Sequence, residues 1–347
     1  MLTTMAGKPP APRTPTMRDV AALAGVSLKT VSRVVNQEAG VTAELAERVA
    51  EAIRLLDYRH NTTASSLRRT DRRTASIGLV VEDVANPFMS AINRAIEDLA
   101  HARRTLVFAS SSDGDAQREA DLVRALAARQ VDGLIVVPVA PDQRVLLNEH
   151  RLGLPMVFVD RPAITRDVDS VTTDNREGAR LAVGHLARHG HRRIAFLGDL
   201  HSIWTAEERY LGYVEGLATE GIRLDARLIR RDMRGIDAAC AAATELLGSS
   251  EAPSAFFAGQ NLLTIGVVRA LQALGLRHRV ALIGFDDFTL ADLLEPAVSV
   301  IAQDAVGLGQ AAASRLFEQL DGDAFPARHI RVPTRLIARG SGELPPG

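Results

Sequence analysis

Residues 17–36 read Met17-Arg-Asp-Val-Ala-Ala-Leu-Ala-Gly-Val-Ser-Leu-Lys-Thr-Val-Ser-Arg-Val-Val-Asn36, and this stretch decides how the chain is organised. Val20, Ala21 and Ala24 recur at the spacing of one helix face, and Gly25 then permits a sharp turn. Ser27 stands in an N-cap position before a second apolar-periodic stretch. Two short helices joined by a glycine-containing turn make a helix-turn-helix. At about 100° per residue, Val31, Val34 and Val35 fall on one side of the second helix and face the first. Leu28, Lys29, Ser32, Arg33 and Asn36 share the other side, which is polar apart from Leu28. Such a face enters the DNA major groove N-terminal end first: arginine pairs bidentately with guanine, and an apolar side chain meets a thymine methyl. The candidate DNA contacts here are Ser27, Leu28, Lys29, Thr30, Ser32, Arg33 and Asn36. The pattern alone also fits an amphipathic hairpin with a solvated polar face.

Outward from this stretch, Thr42 is placed to cap a third helix with Leu45, Val49, Ala52, Ile53 and Leu56 as its apolar stripe. Residues 58–69 are polar except for Ala64 and Leu67, three positions apart, with Asn61 able to cap a short helix. A helix so short is marginal alone and needs something to fold against. Residues 1–73 hold 12 Lys+Arg against 7 Asp+Glu, which is +5, so the remainder carries −6 of the net −1. A basic head on an acidic body suits a chain of which only the head meets phosphate.

The runs Asp19-Val-Ala-X-X-Ala-Gly-Val-Ser27 and Thr30-Val-Ser-Arg-Val-Val-Asn36 resemble the headpiece of the lactose-repressor/galactose-repressor (LacI-type) family, and Asn61…Ala64…Leu67 resembles its hinge helix. The resemblance implies that Leu28, Lys29 and Arg33 read bases. It also implies that Leu67, with its dimer mate, wedges into the minor groove at the centre of a pseudo-palindromic operator. His60 stands where the family usually has proline, which would preset the backbone at the hinge entry.

From Ser76 onward short apolar runs alternate with helical stretches. The strand candidates are 77–81, 106–109, 133–137, 156–159, 194–197, 255–258 and 281–285, with helices over 88–102, 117–128, 175–189, 206–220 and 262–274. This order predicts parallel sheets covered on both faces, and the length suits two doubly wound α/β lobes. Ligands in such folds lie beyond the carboxyl ends of the strands, here in a cleft between lobes. Asn86 and Phe88, Asp160-Arg161, Arg209, Asp286-Asp287 and Gln303 all follow strand ends. Carboxylates, guanidiniums, an amide and a ring can recognise a small polyol, although polar residues at strand ends are also common without any ligand. The body resembles the periplasmic-binding-protein fold, and the resemblance to ribose-type binding proteins implies that Phe88 stacks on a sugar whose hydroxyls meet Asp160, Arg161, Arg209, Asp286 and Gln303. Where the family commonly has Ala-Asn-Asp, this chain has Gly259-Gln260-Asn261, which alters the amide offered by Gln260.

Other features point away from alternative classes. The single cysteine, Cys240, allows no intrachain disulfide and no cysteine-built metal site, and fits a reducing cytoplasm. No apolar run approaches the ~18–20 residues that span a bilayer. His185, His189 and His191 lie close in sequence without a zinc-protease glutamate, and basic residues suit a helix C-terminus. Gly307-Leu-Gly309 imitates a dinucleotide fingerprint without its following acid. We therefore expect no catalytic site, no metal and no cofactor. The expected layout is a disordered leader over 1–16, with Met5 or Met17 as alternative starts. A helix-turn-helix headpiece over 17–60, a hinge over 61–73 and an effector-binding and dimerisation domain over 74–347 follow. The resemblance implies that tetramers use an added C-terminal leucine-rich coiled helix, which Ala338–Gly347 does not offer, so the expected assembly is a homodimer. A transport-type sugar-binding protein without a DNA role is the alternative.

Overall fold

The computed structural model describes residues 15–35, 39–58, 73–322 and 326–347. The chain divides into two units, Met1–Thr74 and Ala75–Gly347.

In the first unit, α1 (Met17–Ala24), α2 (Leu28–Val35) and α3 (Ala43–Leu55) close around the fully buried Val20, Val31 and Val49. Val34 and Val35 pack against this core, as their side of the wheel requires. The Thr16 N–H donates to the Asp19 carboxylate at 2.7 Å at the start of α1. That helix stops at Gly25, whose φ of 64° lies in the left-handed region. Arg48 of α3 donates to the Ala24 carbonyl at 2.7 Å and its guanidinium lies where a Cβ at Gly25 would come, but it is the positive φ that favours glycine there. The Ser27 hydroxyl accepts from the Thr30 N–H at 3.1 Å and caps α2.

The second unit holds two six-stranded sheets. The first comprises β1 (Ser76–Val81), β2 (Leu106–Ser111), β3 (Gly133–Val136), β4 (Met156–Asp160), β5 (Asp169–Thr173) and the late strand β11 (His329–Val332), in the order β11-β5-β4-β3-β1-β2. All its pairings are parallel. The second comprises β6 (Ile194–Leu197), β7 (Ile229–Arg230), β8 (Ala255–Ala258), β9 (Ala281–Phe285), β10 (Ser299–Ala302) and β12 (Arg335–Ile337), in the order β12-β10-β9-β8-β6-β7. Only its β12 edge is antiparallel. Strands β1, β3, β4, β6, β8 and β9 are buried throughout, which explains their uninterrupted apolar runs.

The helices are α4 (Pro87–Ala102), α5 (Ala116–Ala128), α6 (Arg144–Arg151), α7 (Asn175–Arg188), α8 (Trp204–Thr219), α9 (Gly235–Leu247), α10 (Asn261–Ala273) and α11 (Ala305–Leu320). The chain passes between lobes after β5, after β10 and between β11 and β12. Thus α7, which follows the first lobe's β5, packs on α8 in the second. In return α11, which follows β10, packs on α4 in the first. Gly309 lies in α11 at this crossing, where a Cβ would stand 2.7 Å from the Ile92 carbonyl oxygen; its glycine serves close helix packing. The strands β5, β7, β11 and β12 and the helices α6, α9 and α11 add to the elements expected from the sequence.

Candidate nucleic-acid interface and interlobe cleft

On the headpiece, Ser27, Leu28 and Lys29 are exposed, with Leu28 at 46%, while Thr30, Ser32 and Arg33 are half-buried. The valine side of α2 is consumed by the core, so the side carrying these residues is the one left to meet a partner. Asn36, Asn61, Ala64 and Leu67 lie outside the described residues, as do His60 and residues 1–14 of the expected leader, whose last residue, Thr16, instead caps α1.

In the second unit, both sheets present the carboxyl ends of their strands to one cleft, and charged side chains gather there. Asp160 ends β4 and Asp286 follows β9, equivalent places in the two sheets. Both have left-handed backbone, with φ of 68° and 69°, a conformation aspartate tolerates. Both are buried. Burial pushes the Asp160 carboxyl up to about 6, against the opposing pull of Arg161 and Arg209. Arg161 is held on two sides: its guanidinium donates to the Glu82 carboxylate and, at 3.2 Å, to the Pro138 carbonyl. Its Nε lies 3.7 Å from Asp160 Oδ2.

Arg209 is built in from the other lobe. Its Nε donates to Asn175 Oδ1 and its Nη1 to the Gly259 carbonyl, both at 2.8 Å, and the guanidinium lies 3.9 Å above the Phe285 ring. Asp286 Oδ2 stands 3.6 Å from Arg209, and its other oxygen accepts from the Gln303 amide. Asp199, after β6, is another acid of the cleft; burial raises its carboxyl and the Glu82 charge adds to the rise, opposed by Arg234 and Arg161. Asn86 and Asn261 join the lobes through their amides, with Asn261 Nδ2 donating to Asn86 Oδ1 at 3.2 Å. Among the described residues, the buried atoms Asp160 Oδ1, Arg161 Nε, Thr173 Oγ1 and Gln303 Oε1 have no hydrogen-bond partner.

Two family models match the chain, one for bacterial regulatory proteins of the lacI family over residues 16–61 and one for a periplasmic binding protein-like domain over 183–342. The ribose operon repressor of Halalkalibacterium halodurans is 30% identical, over 93% of this chain and 96% of its own length. The chain belongs to the lacI family of bacterial regulatory proteins. This lacI-family chain also resembles, in its solved relatives, the lac repressor dimer bound to operator and the anti-inducer ONPF. That match has a TM-score of 0.85 and 28% identity, and covers 95% of this chain and 99% of the other. A complex of the transcriptional regulator CelR with cellobiose matches at a TM-score of 0.71 and 30% identity, covering 94% and 99%.

Within this lacI-family architecture, the residues expected from the sequence divide into groups. Asp160, Arg161, Arg209, Asp286 and Gln303 converge, and Asn86 reaches the facing lobe. Phe88 is half-buried and packs against the first lobe's core. Gln260 is half-buried at the start of α10, where its carbonyl accepts from the Thr264 hydroxyl at 2.9 Å, and it is the next residue, Asn261, that meets Asn86. Asp287 parts from Asp286 and is clamped by Arg339 at 2.6 and 2.7 Å. Glu82, Asn175, Asp199 and Asn261 are cleft residues that the sequence reading missed, although each follows a strand end just as the expected ones do. Near the chain's end, His185 pairs with Glu343, and His191 bonds Ser254 and the Leu344 carbonyl, so these histidines fasten the C-terminal segment. A cavity of about 500 Å³ opens at the amino end of β6, against Tyr213 and Ile222, away from the cleft residues.

Proposed function

We propose that this chain is a transcription repressor that binds a pseudo-palindromic operator as a homodimer, and that a small sugar or sugar derivative held between its lobes controls that binding. The observation that carries the reading is the pairing, on one chain, of a helix-turn-helix whose polar side stays outside the apolar core with a cleft whose buried polar atoms are incompletely bonded among the described residues. The relatives support it: the H. halodurans protein is a ribose operon repressor, the lac repressor structure is a dimer on operator, and the CelR structure holds cellobiose. We read the chain as a regulator rather than an enzyme, acting in the cytoplasm.

In this reading Ser27, Leu28, Lys29, Thr30, Ser32, Arg33 and Asn36 meet DNA, with Arg33 pairing to a guanine and Lys29 reaching guanine or phosphate. Asn61, Ala64 and Leu67 form the hinge, with Leu67 as minor-groove wedge. Asn86, Phe88, Asp160, Arg161, Arg209, Gln260, Asp286 and Gln303 line the effector site. The edge strand β2 exposes Leu106 (67%) and Phe108 (45%), and the loop after β9 exposes Leu290 and Leu293. We assign these apolar surfaces to the dimer contact, since unpaired apolar edges are otherwise a liability. Control requires only that the effector favour one lobe arrangement over another, and a coupling of about 1–3 kcal/mol changes operator affinity about 5–150-fold.

Selection of duplexes from a random pool by the full chain, followed by mobility shifts with and without ribose, glucose and cellobiose, tests the proposal. We expect a symmetric site bound far more tightly than random duplex, and at least one sugar that changes its affinity. Equal affinity for selected and random DNA at physiological salt would remove the operator; an operator complex indifferent to every sugar would remove the effector.

A further inference from the structure

We propose that the effector is an uncharged polyol, and that phosphate esters and sugar acids are refused because the cleft has already committed its guanidiniums to its own acceptors. This rests on the reading of the cleft as the effector site and narrows what that site takes.

Recognition of a phosphate or carboxylate by arginine uses two neighbouring guanidinium nitrogens as a fork. In Arg161, Nη1 is engaged by the Pro138 carbonyl and Nη2 by Glu82. In Arg209, Nε is engaged by Asn175 and Nη1 by the Gly259 carbonyl. Each arginine thus has acceptors of the protein on two of its three nitrogens, which fix its orientation and leave fewer N–H groups for a fork. Both are also neutralised at close range, Arg161 by Glu82 and Asp160, and Arg209 by Asp286. The remaining cation, Arg234, is exposed and reaches across to Gly114 of the first lobe, where its charge acts on Asp199. Four carboxylates, Glu82, Asp160, Asp199 and Asp286, therefore stand against three guanidiniums. An anion brought among them meets like charge in a buried setting, which opposes its binding.

The atoms left without partners specify the opposite kind of ligand. Asp160 Oδ1 and Gln303 Oε1 are acceptors, Arg161 Nε is a donor beside Asp160, and Thr173 Oγ1 is a hydroxyl that can do either. One ligand hydroxyl can donate to Asp160 Oδ1 while accepting from Arg161 Nε, which a phosphate oxygen cannot do. Thr173 and Gln303 sit at the ends of β5 and β10, where the chain changes lobes, so a second hydroxyl bonded there touches the crossovers themselves. The complement is a molecule with several hydroxyls on neighbouring carbons and no net charge.

Calorimetry on the full chain tests this with ribose, glucose and cellobiose beside ribose 5-phosphate, glucose 6-phosphate and glucuronate, repeated on Glu82→Gln. We expect a neutral sugar to bind at least roughly 100-fold more tightly than its phosphate or acid. Glu82→Gln, which removes the carboxylate charge paired with Arg161 while keeping an acceptor there, should narrow that ratio about tenfold or more. A phosphate ester or acid binding as tightly as its parent sugar would overturn the inference while leaving a sugar effector in place. An unchanged ratio in a folded Glu82→Gln protein would overturn the argument from neutralised guanidiniums. If none of the six binds, the sugar reading fails, and this inference falls with it.

Discussion

The side-chain amides of Asn86 and Asn261 meet across the cleft, with Asn261 Nδ2 donating to Asn86 Oδ1 at 3.2 Å, and each belongs to the start of a helix in a different lobe. Asn86 also caps α4, accepting from the Phe88 N–H at 3.0 Å. Its replacement would mix a capping loss of about 1 kcal/mol with any effect on the cleft. Asn261 is the cleaner probe. Asn261→Ala should speed amide hydrogen exchange in the first turns of α4 and α10 while leaving β3 and β8 protected, because the lobes part more often. Unchanged exchange in both turns would show that the pair does not hold the lobes together.

Asp160 carries a pH dependence whose sign is opposite to that of a salt-bridged surface carboxylate. Its carboxyl, near 3.8 in an unfolded chain, is pushed to about 6 by burial. Between these values the unfolded chain has released a proton that the folded one keeps, so stability falls as pH rises from about 4 to 6 and the loss is complete above that window. The difference is on the order of 3 kcal/mol. Urea unfolding of Asp160→Asn should accordingly show a gain over wild type that grows from pH 4 to pH 7. A constant offset across that range would place the carboxyl at its ordinary value.

Asp169, on β5, accepts from Arg315 Nη2 at 2.9 and 3.0 Å and from Gln319 at 2.6 Å, with both charged side chains buried. Asp169→Ala leaves the buried Arg315 guanidinium with the part-exposed Glu318 as its remaining charge partner, at a cost of about 3 kcal/mol. Adding Arg315→Met should restore much of this. If the double variant is no more stable than Asp169→Ala in urea, the penalty arises from poorer packing and not from the stranded charge.

Arg33→Ala should weaken binding to the selected operator by about 1–3 kcal/mol for each bidentate arginine–guanine pair it removes. Binding to random duplex should change little. Parallel weakening on both in titrations at matched salt would make Arg33 a phosphate contact only.

The headpiece was legible because each local signal agreed: the glycine turn, the serine cap and the valine side all point to the same three helices, and the structure packs Val20, Val31 and Val49 accordingly. The buried strands were legible as apolar runs. Strand β5, Asp169-Ser-Val-Thr-Thr173, was not, because it is fully buried and yet mostly polar. What makes that tolerable is Arg315, 146 residues later in the chain, which periodicity within a window cannot register. The cleft was half legible for the same reason. Position after a strand marks Asp160 or Asp286 as a candidate, but only the assembled lobes show that Glu82 occupies Arg161, that Asn175 orients Arg209, and that Arg339 draws Asp287 away.

The exchange of α7 and α11 between lobes bears on how the protein is made. The first lobe lacks α11 and β11 until residue 332 has been synthesised, and the second lacks β12 until residue 337. Before that point α4 has no partner for its Gly309 crossing, and β5 has an open edge. A ribosome must therefore deliver the chain through residue 332 before the first lobe can finish and through 337 before the second can, and no truncation between the lobes yields a self-sufficient half. Such long-range closure slows folding and leaves sheet edges open to other chains meanwhile. The nascent repressor thus depends on holding those edges apart until its last two strands arrive.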